Sequence, residues 1–489
     1  MNNLIPFLVV IPLGVAFAIP LAVRVNSRLG ELLSILTALT LVVISLLLPG
    51  QETIYHVGSW PTPDGIDLRV DGLSKLMLLI ISGLALVVGI YSIGFIRKFT
   101  GRYRYYTLLM LMVTGMNGVV LSGDLFNLYI FVEIATIASY ALVAFGGEHE
   151  DLEASFKYAV LGGLSSSVIL VGIALVYGMT GTLNLTHLAS RLDGHELTPT
   201  LQMALALLFC GFGLKSALVP FHTWLPDAYP AAPAPISAIL SGITSKAVGL
   251  YVLVRLLFNV FGITDDLLLL LRWSGGITMV VGALLALGQW NIKRLFAYSS
   301  VSQVGLIVLA FGFGTTAGIV GALFHLVNHA VFKPLLFFNS GAIELAAGTR
   351  DLRKMRGLSK RIPVTAATCM VGSLSISGIP PFNGFWSKLI IVVAGVNAGF
   401  TGWACLVVLT SIATLAYQFK VQTAAFFGSD TPSPEVAVSH DAESVFMVAP
   451  MIILAIGCGA LSLFTLTGLD EPFLVASAAK VLIKGVFTW

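Results

Sequence analysis

The sequence predicts an all-α polytopic membrane protein of about fourteen transmembrane helices. Three observations carry that expectation. Of 489 residues, 57% are hydrophobic and only 10% charged, with a mean hydropathy of +0.94; a soluble domain holds about 25% charged residues. Apolar windows near the length of a span, about 20 residues, recur along the whole chain. The basic residues fall on alternate connections between these windows, as the positive-inside rule requires of a multi-pass chain.

The windows lie near 4–23, 30–48, 73–96, 105–122, 124–145, 155–178, 201–220, 235–260, 274–289, 293–313, 317–345, 364–394, 402–427 and 444–467. The first has no basic residue before its apolar run, so it reads as a span rather than a cleaved signal peptide. Arg24 and Arg28 follow the first span, and Arg97, Lys98, Arg102 and Arg104 the third. Lys293 and Arg294 follow the ninth, and Arg350, Arg353, Lys354, Arg356, Lys360 and Arg361 the eleventh. The other connections, such as QETIYHVGSWPTPDGID, are nearly free of Lys and Arg. The odd-to-even loops are therefore expected in the cytoplasm and both termini outside, in the cell membrane of a prokaryote. The basic, apolar tail 472–489 is expected to form a short interfacial helix.

Two spans carry helix breakers. In the seventh, Lys215 is followed by Pro220, Pro226, Pro230, Pro233 and Pro235; in the twelfth, Gly378, Pro380 and Pro381 precede Lys388. Backbone freed by a break must be buried in protein or line a cavity, and paired interrupted segments in two halves point to a transport site. The spacing Lys215 to Lys246 is 31 residues and Lys388 to Lys420 is 32, with Phe221 and Phe382 following the proline in each half. That pattern suggests an internal repeat.

Glu133, Lys215, Lys246, Lys388 and Lys420 lie inside or at the edge of these spans. A charge at the bilayer centre costs roughly 2.5–3.5 kcal/mol on insertion scales, and such residues face a protein interior or a water-filled path. Lys215 is the natural partner of Glu133, and protonation of Lys246 nearby would displace Lys215 or its proton, since coupled buried groups titrate together. The alternative, a static ion pair tying helices, leaves the second set of lysines unexplained. His325, His329 and Lys333 stand at i, i+4, i+8 on one helical face, and imidazole exchanges protons near neutral pH. A proton relay fits this stripe; satisfied core histidines are the alternative. Zinc is disfavoured, because the segment reads HLVNH and that face offers no acidic or Cys ligand.

Ser299, Ser300, Ser302 and Gln303 either hydrate the same path or pack helices. His222 and Asp227, flanking the seventh-span break, serve either cytoplasmic proton uptake or as loop caps. Asp124 reads as a helix cap and Arg255 as a snorkelling end residue. Cys210, Cys369, Cys405 and Cys458 stand singly, so neither a disulfide framework nor an iron–sulfur site is supported. No dinucleotide fingerprint, P-loop, nucleophile elbow or nucleic-acid patch occurs; no cofactor and no metal are expected.

At these residues the chain resembles a known family. GFGLKSALVPFHTWLPDAYPAAPAPISAILSGITSKAVGLY, DLFNLYIFVEIATIASYALVAF, NIKRLFAYSSVSQVG and SISGIPPFNGFWSKLII resemble motifs of the antiporter-like subunits of respiratory complex I, Mrp-type cation/proton antiporters and membrane-bound [NiFe] hydrogenases. The resemblance implies two inverted five-helix repeats, with the seventh and twelfth helices broken. The expected divisions are 1–103 for the N-terminal helices, 104–262 and 263–428 for the two repeats, and 429–489 for the last helix and tail. It implies that Glu133 and Lys215 form the ion pair of the first half, that Lys246 is the lysine of a central hydrophilic axis, that His325 and His329 form the eleventh-helix relay, and that Lys388 is the terminal charge. His222, Asp227, Lys333 and Lys420 are accessory candidates.

Lys at the twelfth-helix position and the expected lack of a long lateral helix differ from individual complex I pump subunits, and the Gly-Ile-Pro-Pro-Phe segment and the length look most like the D-type component of the Mrp antiporters or the equivalent hydrogenase subunit. The expected activity is translocation of protons, with or without exchange for Na⁺, beside other membrane subunits of one complex. One alternative is the proton-pumping arm of a redox-driven complex, a hydrogenase or NADH:quinone oxidoreductase, with no redox centre in this subunit. The other is a scaffolding subunit with inert charges.

Overall fold

A computed structural model describes residues 2–62, 65–427, 440–463 and 473–485. Helices α1 (Phe7–Ala22) and α2 (Leu29–Leu47) lead into a small antiparallel hairpin, β1 (Thr53–His56) and β2 (Asp67–Val70), registered Thr53 against Val70. Then follow α3 (Gly72–Phe95), α4 (Arg102–Leu121), α5 (Leu125–Val143), α6 (His149–Thr180) and the short α7 (Leu185–Leu192). Next come α8 (Pro199–Lys215), α9 (Leu225–Ala231) and the continuous α10 (Ala234–Val260). The second half holds α11 (Asp265–Leu287), α12 (Ile292–Phe311), α13 (Thr316–Ala347), α14 (Pro363–Ser377), α15 (Asn383–Asn397), α16 (Thr401–Ala425), α17 (Val445–Leu463) and α18 (Phe473–Ile483).

Ten of the described helices are long and apolar enough to cross a membrane, and α1, α8 and α14 are shorter apolar helices. The fold is thus predominantly helical and multi-pass. Helix starts follow local chemistry: Asp71, Asp124, Thr264 and Thr315 each accept backbone N–H groups at an N-cap, satisfying donors that the first turn leaves open.

Burial is the inverse of chemistry along the inner row. Helix α10 is wholly buried, and α12 and α13 nearly so, yet these three carry Lys246, Arg255, Lys293, Gln303, His325, His329 and Lys333 in the interior. By contrast α2, α6, α11, α16 and α17 each turn an apolar face outward, with Leu39, Phe156, Leu284, Ile412 and Ile456 exposed. Hydrocarbon solvates such a face, whereas the polar groups must find partners inside. Close approach is set by glycine: a Cβ on Gly305 would lie 2.3 Å from the Met279 nitrogen across the α11–α12 contact, the small-residue packing typical of membrane helices.

Three local features were not foreseen. The connection after α2 forms the hairpin, the loop after α6 contains α7, and α10 holds three π-helical stretches, Leu240–Thr244, Lys246–Tyr251 and Leu256–Val260. The expected interfacial tail is a helix, but it docks on protein: Val475, Ala478, Ala479 and Leu482 are buried. The backbone of Ser477 sits so close to Gly72 that a Cβ there would meet its oxygen at 2.4 Å. Residues 472 and 486–489 of that tail lie outside the described residues.

Candidate functional site

The first cluster joins α5, α6 and α8. Lys215, the last residue of α8, is buried, and its Nζ lies 3.4 Å from Glu133 Oε1. It also donates to Ser166 Oγ at 3.0 Å and to the Gly162 carbonyl at 3.4 Å. The Ser166 hydroxyl donates to the same Glu133 oxygen. Glu133 keeps 24% of its side chain exposed, so the pair runs from the interior to an open edge. The chain can stop at Lys215 because its freed groups are met by protein: Trp224 Nε1 donates to the Leu214 carbonyl at 2.9 Å, and Val219 N–H to Thr278 Oγ1 at 3.0 Å. Ala217 takes φ +59° to make the turn, a conformation uncommon outside glycine.

The second cluster sits on the inner row. Lys246 is buried on a π-helical stretch and donates to the Ser241 carbonyl; π-bulges are frequent at functional sites. His329 and Lys333 of α13 lie within coulombic reach of Lys246. Lys333 donates to the Phe296 carbonyl at 2.8 Å. His329 is fully buried, and neither ring nitrogen has a hydrogen-bond partner among the described residues.

One turn away, His325 contacts Ser387 Oγ through Nδ1 at 2.9 Å and Gln303 Oε1 through Nε2 at 3.0 Å. Ser387 precedes Lys388, whose Nζ donates to the Ile376 carbonyl at 2.8 Å and the Ser377 carbonyl at 3.4 Å. Those carbonyls end α14, so the ammonium occupies the negative end of a helix. Gly378 permits this: its φ is +81°, and a Cβ would lie 2.9 Å from Lys388 Cδ. Asn328 and Asn383 exchange hydrogen bonds at 2.9 and 3.0 Å across the break.

The structure therefore brings Glu133 to Lys215, Lys246 to His329 and Lys333, and His325 to the residue beside Lys388. No hydrogen bond or ion pair joins Lys215 to Lys246 among the described residues. Lys420 stands apart from this set. It donates to the carbonyls of Leu287 and Gln289 at 2.6 and 2.7 Å and lies over the Trp290 ring, a half-exposed cap on the end of α11. Its spacing matches that of Lys246, but its surroundings do not. Lys420→Ala is expected to lower the stability of the complex by about 0.3–1 kcal/mol, the usual worth of a cation at a helix C-terminus, with ion flux unchanged; thermal melts and flux assays check both.

Asp227 pairs with Lys157 at 3.3 Å and Arg294 at 3.4 Å near the surface. His222 is half-buried, its Nδ1 without a hydrogen-bond partner among the described residues. Asp124 caps α5 as expected. Of Ser299, Ser300, Ser302 and Gln303, Gln303 alone hydrogen-bonds a histidine among the described residues; Ser299 bonds Tyr417, and Ser300 and Ser302 bond the Phe296 and Met279 carbonyls.

The expectation for Arg255 is overturned. It does not snorkel but is buried, with Nη2 2.6 Å from Asp71 Oδ1 and further bonds to Tyr251 and Asn259. Sequence reasoning also missed Ser166 and Ser387, and the pairing of Lys293 with Glu344 at 3.0 Å. Glu344 was findable, since it lies within an apolar span just as Glu133 does.

Comparison with known proteins adds a separate line. A family described as NADH:quinone oxidoreductase/Mrp antiporter, TM, matches residues 122–415, and one described as NADH-ubiquinone oxidoreductase (complex I), chain 5 N-terminus, matches residues 65–106. NADH-quinone oxidoreductase subunit N of Desulforudis audaxviator is 34% identical over 94% of this chain and 95% of its own length. The D component of the Na(+)/H(+) antiporter of Alkalihalophilus pseudofirmus is 32% identical over 94% of each. A chain of the Mrp complex from Dietzia sp. superposes with a TM-score of 0.89 at 28% identity, covering 99% of this chain and 97% of the other. A chain of the membrane-bound sulfane sulfur reductase, an archaeal respiratory membrane complex, does so with a TM-score of 0.89 at 32% identity, covering 99% and 98%.

Proposed function

This chain belongs to the NADH:quinone oxidoreductase/Mrp antiporter family of transmembrane subunits, and on that premise we propose that it is an ion-translocating, antiporter-like subunit of a multisubunit membrane complex, moving protons in exchange for Na⁺. The proposal extends to fourteen transmembrane helices in the plasma membrane, with termini outside and two inverted five-helix repeats over 104–262 and 263–428. The breaks after Lys215 and before Lys388 are then equivalent positions.

In this reading Glu133 and Lys215 form the first charge pair. Lys246, His329, Lys333 and His325 carry protons along the inner row, and Lys388 ends it. His222 and Asp227 serve as accessory groups at the basic-loop face. The observation that carries it is the partner set of the buried lysines. Lys246, Lys333 and Lys388 are held by backbone carbonyls alone, with no carboxylate partner among the described residues. A structural ion pair would supply a counter-charge; these amines have none, and they lie beside two buried imidazoles suited to proton exchange.

Moving one charge against 100 mV costs about 2.3 kcal/mol, so a Na⁺ gradient or a redox partner must drive the transfer. A second reading has a specific support: the NADH-quinone oxidoreductase relative and the structural likeness to a respiratory reductase chain favour a proton-pumping arm of a redox-driven complex. Flux in vesicles holding the whole complex separates the two, because Na⁺-dependent proton movement without an electron donor belongs to the antiporter alone. Glu133→Gln is expected to slow proton flux by about 10²-fold or more, the lower end for a positioned proton-transfer group. Unchanged flux in both Glu133→Gln and Lys388→Ala would leave only a scaffold.

A further inference from the structure

A second carboxylate–ammonium pair lies away from the clusters above. Lys293, in the first turn of α12, is 1% exposed, and its Nζ lies 3.0 Å from Glu344 Oε2 without reaching hydrogen-bond geometry. It also donates to the Ala232 carbonyl at 3.2 Å, in the turn between α9 and α10. Glu344, in the last turn of α13, accepts from Arg350 Nε at 2.8 Å on its other oxygen. Side-chain exposure rises outward along this line, from 1% at Lys293 through 17% at Glu344 to 30% at Arg350. Inward, the carbonyl of Phe296, one turn along α12 from Lys293, is the acceptor for buried Lys333. Lys98, Asp151 and the Tyr91 phenol also face this cluster.

We propose that Lys293 and Glu344 form the proton-exchange gate on the basic-loop face, passing protons between water at the Arg350 rim and Lys333. The inference rests on the proton-translocating function proposed above. Anchoring does not account for the pair, because the ends of these helices are already tied by backbone. Ile292 N–H donates to the Arg350 carbonyl at 3.0 Å and Leu352 N–H to the Trp290 carbonyl at 2.9 Å. In the forward step the Glu344 carboxylate takes a proton from water and becomes neutral. Lys293, having lost its counter-charge, releases its proton inward, past the turn of α12 whose Phe296 carbonyl holds Lys333, and the neutral Lys333 amine takes it up. The Glu344 carboxyl then reprotonates the Lys293 amine and is again a carboxylate. One proton enters and none is created.

The test is proton flux through the intact complex in everted vesicles, with pH on the basic-loop side stepped from mildly acidic to mildly alkaline. Glu344→Gln is expected to slow flux by about 10²-fold across the whole pH range, because an amide neither takes a proton from water nor returns one to Lys293, and Glu344→Asp to restore part of the loss. Unaltered flux in Glu344→Gln overturns the gate, and so does a loss that Glu344→Asp does not relieve. Should Glu344→Gln fail to assemble, Arg350→Gln at the rim is read instead: a displaced alkaline limb supports the gate and an unmoved one overturns it. Wild-type complex that moves no protons removes the translocating function and the gate with it; active wild type with unaltered Glu344→Gln flux removes the gate alone.

Discussion

Lys215→Ala is expected to abolish proton translocation while the complex still assembles. The ammonium is the meeting point of Glu133, Ser166 and the Gly162 carbonyl, so its removal takes away the one cation of the first pair. A positioned proton-transfer group contributes about 10²–10⁴-fold, and loss at the upper end leaves no measurable flux. Removing one partner of a buried pair costs about 3–5 kcal/mol when the other stays buried. Here the cost is smaller, because Glu133 is 24% exposed and still accepts from Ser166. The helix break is held independently by Trp224 and Thr278. Flux at the wild-type rate in assembled Lys215→Ala complex would end the charge-pair reading.

Asp71→Ala has the opposite signature, a loss of stability before any loss of mechanism. Asp71 caps α3 through Leu73 and Ser74 N–H groups and faces Arg255, which is 5% exposed. Removing the carboxylate leaves a buried guanidinium without its counter-charge, at about 3–5 kcal/mol, and forfeits a cap worth about 1 kcal/mol. The purified complex should melt well below wild type.

The same pair sets a pH dependence. Burial works against the Asp71 carboxylate, but the Arg255 guanidinium and the hydrogen bonds from Ser74 outweigh it and hold its pKa below the ordinary carboxylate value. A depressed folded pKa means that the stabilisation is fully present above the unfolded value, about 3.9, and is lost as pH falls from there through the folded value. Acid melts of wild type should therefore steepen below about pH 4, and those of Asp71→Ala should lack that limb. Identical acid midpoints would refute the pairing.

Much of the architecture was legible in the chain because it is written in local pattern. Apolar windows, basic loops, N-cap residues and the proline-rich stretches after Lys215 and before Lys388 each act within a turn or two of themselves. So does the rule that an ionisable residue in an apolar span must face inward, which singled out Glu133, Lys215, Lys246 and Lys388 correctly as buried or half-buried. The same rule misplaced Lys420, since a lysine near a span end reaches carbonyls at the rim as readily as an interior partner. Arg255 erred the other way: its carboxylate partner is 184 residues distant, beyond any window.

By itself, then, the sequence determined the class, the positions of the breaks and the identity of the charges, all properties of short-range chemistry in an apolar solvent. Only the tertiary structure decided which polar groups meet. It set Lys388 on the carbonyls of a helix end, His325 between Gln303 and Ser387, and Lys293 against Glu344. The physical reason is that a charge inside a membrane protein is compensated by whatever neighbouring helices deliver, and helix neighbours are set by packing across the whole chain.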